Sequence, residues 1–129
     1  AGLRAIVADI TTAQSEALAY QEGRAVRFYP EEGRWVIIRV QGTTIDESTG
    51  RLFEGRLNGI DSGDAAINSA DFNGSTTLIF DEMGGPVIAA GSNQPAPTGA
   101  IVISGSGQRF RIEVQGYTGR VVVTREATP

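Results

Sequence analysis

Acidic side chains are frequent between residues 42 and 82, and carboxylates of this kind could form a glycosidase-like acid–base pair or a calcium site. Their spacing matches no strong motif, because the segment Asp61 to Asp71 ("DSGDAAINSAD") lacks the Asp-x-Asp-x-Asp-Gly pattern and later Glu of an EF-hand loop. We therefore expect solvated loop carboxylates, with no catalytic residue and no metal ligand among them. The candidates are Asp46, Glu47, Asp61, Asp64, Asp71, Asp81 and Glu82.

The composition removes several other chemistries. The chain has no Cys and no His, and all 11 basic residues are Arg. Nucleophile pairs that use His, Schiff-base lysines and zinc sites built on imidazole or thiolate are thereby excluded. The stretch Ser104 to Gln108 ("SGSGQ") is predicted to be a hairpin turn, since a nucleophile elbow joins a strand to a helix and needs a His partner. No Gly-rich phosphate-binding motif is present, so the sequence predicts no cofactor and no enzyme activity.

Charge and hydropathy limit the partners and the location. A net charge of −4 and a pI near 4.8 argue against broad attraction to nucleic acid or to anionic membranes. No apolar run approaches the roughly 18–20 residues that span a bilayer, so the chain as given is expected to be soluble. The absence of Cys fits a reducing compartment or an exported protein without disulfides.

The chain opens with an apolar pattern of helical period, and this helix is the first element that could position other groups. Apolar residues recur at spacings of three and four, which places them along one face. No Ser, Thr, Asp or Asn cap precedes the first of them, whereas Gly23 marks the expected end. The stripe consists of Leu3, Ile6, Val7, Ile10, Ala13 and Ala17.

The remainder of the chain has the signals of an antiparallel β body. Residues 24–29 and 34–41 are predicted to form a hairpin whose second strand is apolar on both faces, with the helix covering one of them. Residues 42–75 are predicted to be mostly loop, with one short extended stretch at 51–57. Residues 92–99 are predicted to be a flexible surface loop. Further strands are predicted at 76–80, 86–90, 100–104, 109–115 and 120–125.

This order of elements resembles the GspH/FimT family of bacterial minor pseudopilins and minor pilins. The resemblance rests on Asp9 to Phe28 as the helix end running into the first strand, and on the Trp-bearing "RWVI" of the second strand. It also rests on Leu78 to Val87 ("LIFDEMGGPV") and on Arg109 to Val121 around Thr-Gly-Arg. It covers most of the chain except residues 42–75.

The resemblance implies a single α+β domain over residues 1–129. An amino-terminal amphipathic helix (1–23) would pack on a pilin-like antiparallel β-sheet body (24–129), arranged as two small sheets. Family members carry a longer helix whose first half spans the membrane and forms the filament core. The uncapped start is what removal of that half would leave, and the stripe would then serve helix packing and assembly.

The implied function is that of a minor pseudopilin of a type II secretion system. Its head would lie in the periplasm and the full-length protein in the bacterial inner membrane. Other pseudopilins would be the partners, with secreted cargo as a further candidate, and nucleic acid is not an expected partner.

Two alternatives remain open. Some FimT-type pilins bind DNA through a Gly-Arg-x-Arg segment, and here "GRVV" keeps only Arg120, with Arg125 nearby beside Glu126. DNA binding would appear as retention at low salt that fades as salt rises. A carbohydrate-binding or hydrolytic β domain would need a cleft with aromatic side chains, and only 7% of the residues are aromatic.

Overall fold

The amino-terminal helix forms as the apolar stripe predicts. A computed structural model describes residues 2–57 and 65–126, and in it α1 spans Gly2–Tyr20. The helix end was expected at Gly23, and this expectation is wrong. Gln21 takes the left-handed conformation (φ 50°), and the Glu22 N–H donates to the Ala17 carbonyl at 3.2 Å, which closes the helix in a Schellman-type cap.

Nine strands follow within the described residues, together with a one-turn helix. The hairpin predicted over 24–41 and the extended stretch at 51–57 are confirmed. The strands are β1 Arg24–Tyr29, β2 Arg34–Gln41, β3 Thr44–Ile45, β4 Arg51–Arg56, β5 Ala66–Asp71, β6 Thr77–Phe80, β7 Gly99–Gly105, β8 Gln108–Val114 and β9 Val121–Glu126, and the short helix is α2, Glu47–Gly50.

The strands form two antiparallel sheets, which confirms the α+β class and the division of the β body. In the first sheet, β2 pairs with β1 along one edge and with β3 and β4 along the other, while β6 pairs with the outer edge of β1. The second sheet has the order β5-β7-β8-β9. Short connections between sequential neighbours make most of these pairings hairpins.

Turn chemistry fixes two of the hairpins. A 3₁₀ turn over Pro30–Glu32 joins β1 to β2 and ends at Gly33, whose φ of 61° suits a residue without Cβ. Ser106 and Gly107 join β7 to β8 with φ values of 54° and 74°, as a type I′ turn requires. The prediction that the stretch from Ser104 to Gln108 is a hairpin turn is confirmed.

The segment 42–75 contains more regular structure than predicted. Strand β5 was missed, although it pairs with β7 from Ala66↔Ser104 to Asp71↔Ala100. Its sequence, AINSAD, buries only Ile67, and a bulge between Ile67 and Ser69 breaks the alternation that would have indicated a strand.

The strand predicted over 86–90 is wrong. Pro86 and Val87 make only isolated bridges, to Phe80 and Pro95 respectively, because Pro86 has no N–H to donate and the chain bends after Val87. The surface loop 92–99 folds back on this segment. The Ala96 N–H donates to the Pro86 carbonyl at 3.0 Å, so backbone hydrogen bonds hold the loop.

One core joins the helix to both sheets. Helix residues pack with the inner faces of the sheets, and a smaller cluster covers the opposite face of β2, which confirms that β2 is apolar on both sides and covered on both. The main core includes Ile6, Ile10, Ala13, Ala17, Val26, Phe28, Trp35, Ile37, Phe80, Ile101, Ile112 and Val114. The smaller cluster is Ala25, Val36, Ile38 and Val40.

Replacing Gly55 should destabilise this core. A Cβ at Gly55 would overlap the indole of Trp35, which is 1% exposed and opposite Gly55 in the β2–β4 register. We expect Gly55→Ala to lower the free energy of unfolding by about 2–3 kcal/mol, because a buried ring must move. Urea denaturation measures this change. Leu52→Ala in the same strand is the control, and an equal loss in both variants would contradict the explanation, since Leu52 is 46% exposed.

Candidate assembly surface

The six residues predicted for helix packing all lie against the head. Ile6, Ile10, Ala13 and Ala17 are fully buried. Leu3 and Val7 are partly buried and pack against the same core. Within the described chain the stripe is therefore intramolecular core, and any role of these six residues in assembly stays a prediction.

The opposite face of α1 is exposed and is formed mainly by small side chains. We call it the outer stripe, and it consists of Arg4, Ala8, Thr11, Ser15 and Ala19. The spacings of four, three, four and four keep these residues in line along the helix. Small side chains allow a second helix to approach closely, so this face is suited to helix–helix contact.

Two polar contacts fasten the flanks of the helix. The Trp35 Nε1–H donates to Asp9 Oδ2 at 2.7 Å, which connects the helix to β2. On the other flank, Gln14 Nε2 donates to the Gly84 carbonyl at 2.8 Å and to the Thr118 carbonyl at 3.1 Å. The helix is thus held to one strand and to two turns by groups outside its apolar stripe.

A cluster of charges holds the carboxyl-terminal end of α1. Arg39 donates to both oxygens of Glu22 at 3.0 Å, and Arg24 Nη1 donates to Glu22 Oε1 at 2.8 Å. Hydrogen bonds from Arg39, which has the larger effect, and from Arg24 lower the pKa of Glu22 to about 2. The same Glu22 carboxylate raises the pKa of Arg39.

Arg24 lies at the centre of this cluster and is only 4% exposed. Its Nε lies 3.5 Å from Glu16 Oε1 but makes no hydrogen bond, and its guanidinium lies 5.5 Å from the centre of the Tyr20 ring. Burying this cation depends on Glu16 and Glu22 beside it, because an unpaired buried charge is costly. The cluster therefore ties the carboxyl-terminal end of α1 to β1 and β2.

Two of the candidate carboxylates, Asp46 and Glu47, lie at the start of α2. Asp46 is its N-cap and accepts from the Ser48 hydroxyl and N–H, which lowers the pKa of Asp46. Glu47 accepts from the Tyr29 hydroxyl and lies near Arg34, and both lower the pKa of Glu47. These contacts stabilise local structure, and Glu54 Oε1 also lies 3.8 Å from the Arg34 Nη1 that Glu47 approaches.

The other candidates are dispersed. Asp71 Oδ1 accepts from the Gly74 N–H at 2.8 Å, and Asp81 Oδ1 accepts from the N–H groups of Met83 and Gly85. Glu82 is exposed, and Asp61 and Asp64 lie outside the described residues. In residues 2–57 and 65–126, no three acidic side chains gather in a way that could hold a metal ion.

Arg120 and Arg125 are both exposed. Arg120 precedes β9, and Arg125 lies within β9 opposite Phe110. Glu126 approaches Arg111 at 4.0 Å and adds negative charge to the same strand. DNA binding by Arg120 and Arg125 stays an alternative that these contacts do not test.

Sequence reasoning missed a cleft of about 300 Å³ between the helix and two turns. We call it the turn cleft. Three of its lining side chains are large, apolar and exposed: Leu18 at 50%, Met83 at 72% and Tyr117 at 79%. These residues are distant in sequence, so no local pattern places them together. The remaining lining residues are Gln14, Asp81, Gly84, Gly85, Pro86, Val87, Asn93, Pro95 and Thr118.

The charge cluster predicts a pH-dependent stability. Because the pKa of Glu22 is lowered to about 2 in the folded state, its contribution is complete above the unfolded value near 4.5 and is lost as pH falls toward 2. We expect Glu22→Gln to cost about 1–2 kcal/mol at pH 7, less than full linkage gives, because the Glu22 side chain is 33% exposed. Urea denaturation at pH 7 and pH 3 tests this.

The difference in stability between the wild type and Glu22→Gln should shrink from pH 7 to pH 3. Glu31→Gln, at an exposed site in the β1–β2 turn, is the matched control. A Glu22→Gln penalty that is the same at both pH values would contradict the assignment.

None of the helices in the described residues is both long and apolar enough to span a membrane.

A search of curated proteins found no match. The fold is similar to that of the minor pseudopilin EpsH from the Type 2 Secretion System of Vibrio cholerae, with a TM-score of 0.62 and 12% sequence identity. That alignment covers 95% of this chain and 92% of the EpsH chain. The model of the family described as Type II transport protein GspH matches residues 3–125. Since this match extends over nearly the whole sequence, the chain belongs to the GspH family of type II transport proteins.

Proposed function

We propose that this chain is the head of a minor pseudopilin, a structural subunit of a periplasmic filament that takes part in type II protein secretion. Membership of the GspH family supports this role, and so does the fold shared with the minor pseudopilin EpsH. The role is mechanical and not enzymatic. In support, the chain lacks Cys, His and Lys, and the carboxylates of Asp46, Glu47, Asp71 and Asp81 are engaged in local hydrogen bonds.

The two-sided character of α1 is the observation that carries the proposal. One face is fully buried at Ile6, Ile10, Ala13 and Ala17, while the outer stripe of the same helix exposes small side chains from Ala8 to Ala19. A helix that only covered a sheet would need no such continuous face of small residues, and polar side chains of any length would suffice there. Helices of other pseudopilins are the partners that we propose for this face.

The location follows from the same role. The head would lie in the periplasm, and an apolar amino-terminal extension of α1 would anchor the full-length protein in the inner membrane before assembly. Secreted cargo is a further proposed partner of the head.

Bulky substitutions on the outer stripe should impair assembly without affecting folding. We expect Ala8→Trp and Ser15→Trp in the full-length protein to reduce secretion at least tenfold in a strain that lacks its own copy, because an indole prevents close helix approach. Secreted protein in the medium is the measurement. The melting temperature of each variant should stay within about 3 °C of the wild type, since both sites are exposed.

Thr44→Trp, exposed in β3, is the control and should secrete normally. Normal secretion by both stripe variants would refute the role proposed for this face.

A further inference from the structure

We propose that the turn cleft docks a segment of another pseudopilin head in which an apolar side chain lies beside an arginine or lysine. This inference rests on the proposed function and assigns one surface and one partner chemistry to it. The outer stripe would contact helices, whereas the turn cleft lies on the flank of α1 and would contact a head.

The exposed apolar area is the first argument. Leu18, Met83 and Tyr117 come from the helix, from the turn after β6 and from the turn before β9, and all three line one cleft. Single exposed apolar residues are ordinary on a protein surface, whereas several around one concave site are typical of interaction sites. Aromatic and Met side chains are also enriched where proteins bind one another.

The cleft is also held in shape before any partner binds. Gln14 bonds to the carbonyls of Gly84 and Thr118 and so joins all three walls. Gly84 is buried against Leu18, and a Cβ added at Gly84 would lie 2.9 Å from Leu18 Cγ. A preformed site loses less conformational entropy on binding.

The backbone at Tyr117 provides an independent argument. Tyr117 has a φ of 68°, a conformation that is unfavourable for a bulky residue and that glycine adopts without strain. Two hydrogen bonds span it, from Thr118 N–H to the Gly116 carbonyl and from Gly119 N–H to the Gln115 carbonyl, and hold the turn. The ring gains little burial in return, because it is 79% exposed. A strained and exposed aromatic residue is what a binding role explains and folding does not.

The charges identify the partner chemistry. Asp81 is the only charged residue that lines the cleft in the described chain, and Glu82 beside it is exposed. Asp81 Oδ1 already accepts from the N–H groups of Met83 and Gly85, so a basic side chain entering here would meet Asp81 Oδ2 and the face of the Tyr117 ring, which attracts cations. Glu82, next in the chain, adds to the negative charge at this turn. Arg120 follows the turn but does not line the cleft.

The test uses the 129-residue chain and, as probes, the purified heads of the other pseudopilins of the same secretion system. For the head that binds the wild-type chain, we expect Tyr117→Gly to raise the Kd at least tenfold while the melting temperature is unchanged or higher. Met83→Ser and Glu82→Arg should each raise the Kd at least threefold, and added salt should weaken the wild-type complex.

Asn73→Gly is the matched control. Asn73 also has a positive φ, 56°, and lies in an exposed turn between Phe72 and Ser75, so its replacement changes the backbone preference away from the cleft. We expect this variant to bind as the wild type does.

Four outcomes would overturn the inference. Unchanged binding by Tyr117→Gly would contradict the site, and a melting temperature lowered by more than about 5 °C would indicate a structural role for the ring. Self-association of the wild-type chain in sedimentation, abolished by Tyr117→Gly, would identify a second copy as the occupant instead. Failure of the wild-type chain to bind any of the heads would contradict the proposed function as well. The first three outcomes would contradict this inference alone.

Discussion

The packing of one helix face into a core shared with both sheets is the contact on which the fold depends. Ile6, Ile10, Ala13 and Ala17 have no exposed surface, and they belong to the same core as the inner residues of both sheets. Neither sheet could bury its apolar face as completely without them, since each has only four or five strands. The two alanines lie in the half of the helix nearer to β1, where small buried side chains leave room for the helix backbone to approach a sheet.

The parts of the fold that sequence reasoning predicted are those in which local pattern and tertiary packing agree. The stripe of α1 has one period along its length, and β2 is a continuous apolar run, as expected of a strand covered on both faces. In β8, Ile112 and Val114 are buried two residues apart, as the alternation of that strand predicts. Strand β5 shows the opposite case. Its pairing partner is β7, which lies between 29 (Asp71↔Ala100) and 38 (Ala66↔Ser104) positions later, so its weak alternation gave no local signal. The apolar residues of 86–90 suggested a strand that Pro86 prevents.

The candidate surfaces were predictable to different degrees, depending on whether a local sequence pattern or a distant contact places their residues together. The buried stripe could be read from spacing alone, and the outer stripe is its complement on the same helix. The turn cleft depends on Gln14 meeting residues 70 and 104 positions away, and no window of sequence contains that information. The charge cluster could be predicted only in part from the sequence. Glu22 and Arg24 are close in the chain, but Arg39 joins them only through the β1–β2 pairing.

The polar contacts of α1 explain how a helix can be held firmly and still present a free face. The helical period places Asp9 and Gln14 on opposite flanks of the buried stripe, and Glu22 lies beyond the carboxyl-terminal end. Each contact reaches a different part of the head: the indole of Trp35, the turns at Gly84 and Thr118, and the guanidinium groups of Arg24 and Arg39. A force along the helix axis would therefore act on both sheets through the contacts of Asp9, Gln14 and Glu22. Because none of these contacts uses the outer stripe, the groups that position the helix do not compete with any helix that packs against it.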